Sequence, residues 1–92
     1  MEKSLRRVVE KILMLKFPEI SNYDLAYVDN ANAQVYNLFL TVSEELTFER
    51  ERELYNEAYT LFGMLGPMDE RLKVFIIHDY DDDKFERVVR QY

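Results

Sequence analysis

Residues 72–78 read LKVFIIH, and this stretch decides the fold. Successive side chains of a β-strand point to opposite faces, which puts Leu72, Val74 and Ile76 on one side and Phe75 and Ile77 on the other. A strand that is apolar on both sides belongs at the centre of a sheet or under cover on both faces. Immediately upstream, Gly66-Pro67 is a stop signal: a glycine just past a helix end followed by a proline that cannot continue it. The helix it closes carries Leu54, Ala58, Leu61 and Leu65 at i, i+4, i+7 and i+11. Ser43 or Thr47 can cap its start, and Glu44, Glu45 and Glu49 suit its positive end.

Before that helix, residues 33–42 (AQVYNLFLTV) read as a strand, with Tyr36, Leu38, Leu40 and Val42 on one face and Val35, Asn37, Phe39 and Thr41 on the other. Residues 23–28 alternate in the same way, and Asp29, Asn30, Ala31 and Asn32 between the two runs are turn formers, so a hairpin is expected. The chain opens with Leu5, Val8, Val9, Ile12 and Leu15 or Lys16 at helical spacing, widened by Leu13 and Phe17, and Pro18 ends that helix. At the other end, Phe85, Val88, Val89 and Tyr92 are spaced i, i+3, i+4 and i+7 behind Asp83, which predicts a short closing helix. A hairpin followed by a helical crossover makes the third strand parallel to the second. The expected fold class is therefore α+β. It is a two-layer sandwich in helix-strand-strand-helix-strand-helix order, with a three-stranded mixed sheet, helices on one face and a short C-terminal helix.

Composition bounds the function. The 92 residues suit one small domain over 1–92, and 48% hydrophobic content with 13 aromatics, all Tyr or Phe, excludes a disordered acidic tail. No cysteine is present, which removes disulfides, thiolate zinc sites and cysteine nucleophiles together and suits a reducing compartment, so a cytoplasmic location is expected. The early bases resemble the start of a leader, but Glu10, Lys11 and Lys16 interrupt the apolar stretch, and neither a leader nor a membrane span is expected. The net charge of -6 is unevenly placed: residues 1–16 carry +3 and residues 17–92 carry -9. That field opposes attraction to phosphate backbones everywhere except along the first helix.

The motifs that attract attention fall short of a catalytic or metal centre. Asp79, Asp81 and Asp83 match positions 1, 3 and 5 of an EF-hand loop, but Lys84 stands where the turn needs glycine and Arg90 where a bidentate glutamate closes the sphere. Helix capping explains the run more simply. His78 is the only histidine; none of Ser4, Ser21 and Ser43 sits in a glycine-rich elbow, so no triad assembles and His78 reads as a partly exposed strand-end residue. The Gly63–Gly66 stretch GMLG resembles the GXXG backbone clamp of KH domains, and the element order is similar to the type II KH arrangement. That resemblance implies nucleic-acid binding, with the basic face of the first helix (Lys3, Arg7 and Lys11, near Arg6 and Lys16) as its contact surface. Met68, Asp69 and Glu70 then leave little room for a second helix and place negative charge where phosphates would lie.

The aromatic residues carry the functional expectation. Tyr55, Tyr59 and Phe62 widen the apolar arc of the second helix beyond what one sheet face needs, and Val35, Phe39 and one of the two third-strand sets, Phe75 with Ile77 or Val74 with Ile76, point away from the face the helices cover. A closing helix of about nine residues hides only part of a three-stranded sheet. Either it packs there or a partner does. The sequence is accordingly read as a non-catalytic protein-protein interaction domain that forms a homodimer, without cofactor or metal. Its expected interaction residues are Phe39, Tyr55, Tyr59, Phe62, Phe75 and Ile77. A KH-like nucleic-acid binder and a regulatory or accessory subunit of an enzyme stand as the alternatives.

Overall fold

The computed structural model describes residues 1–29 and 34–79 in full and the backbone of 88–91. The first helix is built from α1 (Glu2–Val8), a π-helical turn (Val9–Leu13) and α2 (Met14–Lys16). Strands β1 (Ile20–Asp29) and β2 (Gln34–Val42), helix α3 (Phe48–Met64), and strands β3 (Glu70–His78) and β4 (Val88–Gln91) follow. The sheet order is β1-β2-β3-β4. β1 and β2 form the expected antiparallel pair, closed by Asp29 opposite Gln34. β2 and β3, joined by the α3 crossover, run parallel with Phe39 opposite Phe75 and Leu40 opposite Ile76.

The helices pack on one face of this mixed sheet. Its inner rows are Leu25 on β1, Tyr36, Leu38, Leu40 and Val42 on β2, and Leu72, Val74 and Ile76 on β3, all buried. Leu54, Ala58 and Leu61 of α3 meet them as the stripe requires, and Tyr55 and Phe62 are buried beside that stripe. The residue that caps α3 is Thr47, whose hydroxyl oxygen accepts from the Arg50 amide at 3.0 Å. Ser43 instead ties the end of β2 back to the Glu19 carbonyl through its amide and hydroxyl. Gly66 adopts φ +71°, the left-handed conformation that a helix-terminating glycine supplies without a Cβ clash.

The first helix departs from its expected stripe. Its buried residues are Leu5, Val9, Leu13 and Phe17, whereas Ile12 is 38% and Leu15 75% exposed. An unbroken α-helix at 3.6 residues per turn turns the residues of an i, i+4 row by about 40° per step, so the row drifts off the core. The π turn takes in more residues per turn and winds that drift back, keeping Leu5, Val9, Leu13 and Phe17 over the sheet. Ile12 and Leu15 are rotated outward by the same adjustment.

The C-terminal end also differs. Residues 88–91 form β4, antiparallel to β3, with Ile77 opposite Val89 and His78 opposite Val88. This replaces the expected closing helix over that stretch and makes the sheet four-stranded. Adjacent valines are at home in a strand, and β3 offers unpaired backbone groups along its far edge. The acidic run at Asp81, Asp82 and Asp83 lies outside the described residues.

Candidate interaction surface

The outer face of the sheet is built from the alternate residues of the same strands. In register, its rows are Val28-Val35-Arg71, then Ala26-Asn37-Lys73, then Asp24-Phe39-Phe75 and finally Thr41-Ile77. Strand alternation fixes this placement: every residue that faces the helices forces its neighbours outward. Among the described residues no helix packs on this side. The Phe39 and Phe75 rings stack with centroids 4.9 Å apart and planes 16° from parallel. Each ring shields the other, so both are half-buried within the monomer, as are Val35, Thr41 and Ile77. Asp24 on β1 and Arg71 and Lys73 on β3 are exposed at opposite sides of the strip, as is Val28 at 46%.

The six expected interaction residues do not make one patch. Phe39, Phe75 and Ile77 share the outer sheet face. Tyr55 and Phe62 are in the core, where Phe62 also meets Tyr36 edge-on at 6.3 Å. Tyr59 is 37% exposed on α3, which lies on the opposite side of the sheet. The sheet and the Tyr55/Tyr59 edge therefore cannot form a continuous surface, because the sheet itself stands between them.

The helix layer holds most of the described ion pairs. The Arg50 guanidinium donates to both carboxylate oxygens of Glu19 at 2.6 and 3.1 Å, to Glu53 at 3.1 Å and to the Lys16 carbonyl at 2.9 Å. It also lies over the Phe17 ring, 4.1 Å from the centroid. This forked, stacked contact joins α3 to the end of the first helix in a way that a lysine cannot reproduce. It holds the Glu19 carboxyl below its ordinary range, the hydrogen bond to Arg50 being the main cause. Lys16 pairs with Glu57 at 3.0 Å in the adjoining groove, so the charges there are matched internally. Farther along the first helix, the Tyr23 hydroxyl donates to Glu10 at 2.6 Å, and Arg6 reaches the Leu25 carbonyl at 3.5 Å. Burial and the bond to Glu10 both raise the Tyr23 pKa.

His78 corrects a further expectation. It is not a partly exposed strand-end residue but is 6% exposed on the inner row of β3, following Leu72, Val74 and Ile76. Its Nε2 lies 3.5 Å from Oε1 of Glu51, a carboxylate on the first turns of α3 that is also buried. Sequence reasoning missed Glu51, since nothing separates it from the surrounding glutamates except its place one turn before Leu54 on the buried stripe. The GMLG stretch does not form a clamp between helices. Gly63 is inside α3, Gly66 is its left-handed terminator, and β3 begins at Glu70. Among the described residues no group of three or more His, Asp or Glu is placed to hold a metal ion. Nor is any described helix long and apolar enough to cross a membrane.

No protein-family model matches the chain, and no curated protein matches its sequence. Among solved structures the fold is similar to that of the "MamB CTD magnetosome protein" of Desulfamplus magnetovallimortis BW-1. The TM-score is 0.63 at 15% identity, over 85% of this chain and 96% of the other. The likeness is one of fold: a small α+β architecture with helices layered on a mixed sheet.

Proposed function

We propose that this chain is a non-catalytic protein-protein interaction domain that self-associates through the outer face of its sheet. The observation that carries the reading is the stacked Phe39–Phe75 pair, flanked by Ile77, on a face that no described helix covers. Aromatic pairs combine large apolar area with few rotatable bonds, so they associate at low entropic cost. Three strands at about 4.8 Å spacing and four rows about 6.7 Å apart make a patch of roughly 380 Å² per copy. Two copies then bury about 800 Å², below the roughly 1,200 Å² of a stable complex, so the dimer is weak and concentration-dependent.

The cysteine-free composition fits work in the cytoplasm. Nucleic-acid binding is the less favoured role: Arg6 and Lys16 of the basic helix are engaged inside the monomer, and GMLG is accounted for as a helix end. Sedimentation equilibrium from about ten to several hundred micromolar tests the proposal. Rising average mass is expected for the wild type and a constant monomer mass for Phe39→Glu, because a carboxylate placed in such a contact loses its hydration. A wild type that stays monomeric at several hundred micromolar contradicts the reading.

A further inference from the structure

The first helix has an outer ridge as regular as its buried row. Leu5, Val9 and Leu13 face the sheet, and two residues at about 100° each turn a side chain to the opposite side. Arg7 follows Leu5 by two, Lys11 follows Val9 and Leu15 follows Leu13, while Lys3 precedes Leu5 by two. All four are exposed, Leu15 at 75%. The π turn that holds the buried row over the sheet therefore also keeps Lys3, Arg7, Lys11 and Leu15 in one line, roughly 6 Å apart. Ile12, three residues before Leu15 and adjacent to it on the helix surface, is a further 38% exposed. Lys3, Arg7 and Lys11 take part in no ion pair among the described residues, whereas Lys16 beside them is paired with Glu57.

We infer that this ridge docks an acidic helix of a partner protein, one that presents carboxylates four residues apart and an apolar residue one turn beyond them. Carboxylates at i, i+4 and i+8 of a helix repeat about every 6 Å, which matches the row of cations. The apolar residue of the next turn then meets Leu15 and Ile12 and takes their surface out of water. A broad anionic surface is a poorer match. A membrane or a nucleic-acid duplex laid across the helix layer also meets Glu49 and Glu53 of α3, both exposed, in the part of the chain that carries -9. A single helix about 10 Å wide reaches the ridge without covering α3. Phosphates, moreover, offer nothing apolar to Leu15. The inference is independent of association through the outer sheet face, which lies on the other side of the molecule.

The probe is a synthetic helical peptide of roughly 20 residues with Glu at three positions four apart and Leu at the fourth. A scrambled peptide of the same composition, phosphatidylcholine vesicles containing phosphatidylserine, and a single-stranded RNA oligonucleotide serve as comparisons. Amide NMR titration of the wild-type chain is expected to show shifts over residues 3–16 and none around Phe39 and Phe75, with affinity falling as salt rises. Reversing Arg7 and Lys11 together (Arg7→Glu with Lys11→Glu) is expected to weaken peptide binding more than about tenfold, because two attractions become repulsions. Leu15→Ala is expected to weaken it about threefold to tenfold through lost apolar contact. All three residues are exposed, so circular dichroism is expected to show the wild-type fold in both variants. No shifts at millimolar peptide, equal binding of the scrambled peptide, or tighter binding to vesicles or RNA than to the peptide overturns the inference. None of these results bears on whether two copies associate, which sedimentation of the same variants reads separately.

Discussion

Leu38 and Phe39 are neighbours on β2, and Val74 and Phe75 are their partners on β3, yet the two pairs have different surroundings. Leu38 and Val74 are buried in the core on the helix side of the sheet, while Phe39 and Phe75 stack on each other on the face that no described helix covers. The same backbone pairing supports both faces, and one step along the chain separates them. The difference shows where apolar residues have already contributed their stability to folding and where apolar surface is left over. Tyr55 and Phe62 belong to the first kind despite being aromatic, whereas Phe39, Phe75 and Ile77 belong to the second. Composition alone cannot separate them, because the decisive variable is which side of the sheet the helices occupy.

The contrast is broken most directly by truncating one residue on each face. Leu40→Ala on the inner face is expected to cost about 2–5 kcal/mol by chemical denaturation, from lost burial and an unfilled cavity. Phe39→Ala is expected to cost about 1 kcal/mol, mainly the stacking with Phe75. Equal losses would mean that the outer face is as closed as the inner one. Next in size, Glu51→Ala is expected to cost about 1–3 kcal/mol because it strips a buried histidine of its carboxylate neighbour. A change smaller than about 0.5 kcal/mol would show that the polar end of the inner row is open to water. Gly66→Ala is expected to cost about 1 kcal/mol, since φ +71° strains any residue with a Cβ. Wild-type stability there would mean that the turn into β3 relaxes to a different conformation. The smallest effect is on pH dependence. The folded-state pKa of Glu19 is lowered, so the Arg50–Glu19 contact contributes fully above the ordinary value of 4.5 and is lost as pH falls below it. A share under about 1 kcal/mol is expected to disappear over that range, and Glu19→Gln should flatten it. An unchanged acid limb in that variant would assign the loss to other carboxylates.

Much of the fold is legible in the sequence because period-two and helical patterns are strong in β2, β3 and α3, and because Gly66-Pro67 leaves one place for α3 to end. The stripe of the first helix was not, because a π turn rephases Leu13 and Phe17 inward and Ile12 and Leu15 outward without any distinctive residue to announce it. Residues 88–91 also satisfy two patterns. Val88 and Val89 fit a helical stripe that includes Phe85 and Tyr92, and they fit an edge strand equally well once β3 is present to pair with them. The burial of His78 was within reach of simple parity, since it continues the row of Leu72, Val74 and Ile76. The surface was half legible: strand alternation puts Phe75 and Ile77 on one side of β3, but it takes the register of β3 against β2 to put Phe39 on that same face. Deciding among Tyr55, Tyr59 and Phe62 requires the rotation of α3 against the sheet.

The claim that copies meet on the outer sheet face is tested most directly by amide NMR shifts over a dilution series of the wild-type chain. Residues that shift with concentration are expected to map to 24–28, 35–41 and 71–77, strongest around Phe39 and Phe75, with the exposed side of α3 at Tyr59 unmoved. Shifts confined to the helix layer, around Leu15 or Tyr59, or spectra identical from ten to several hundred micromolar, would contradict the account.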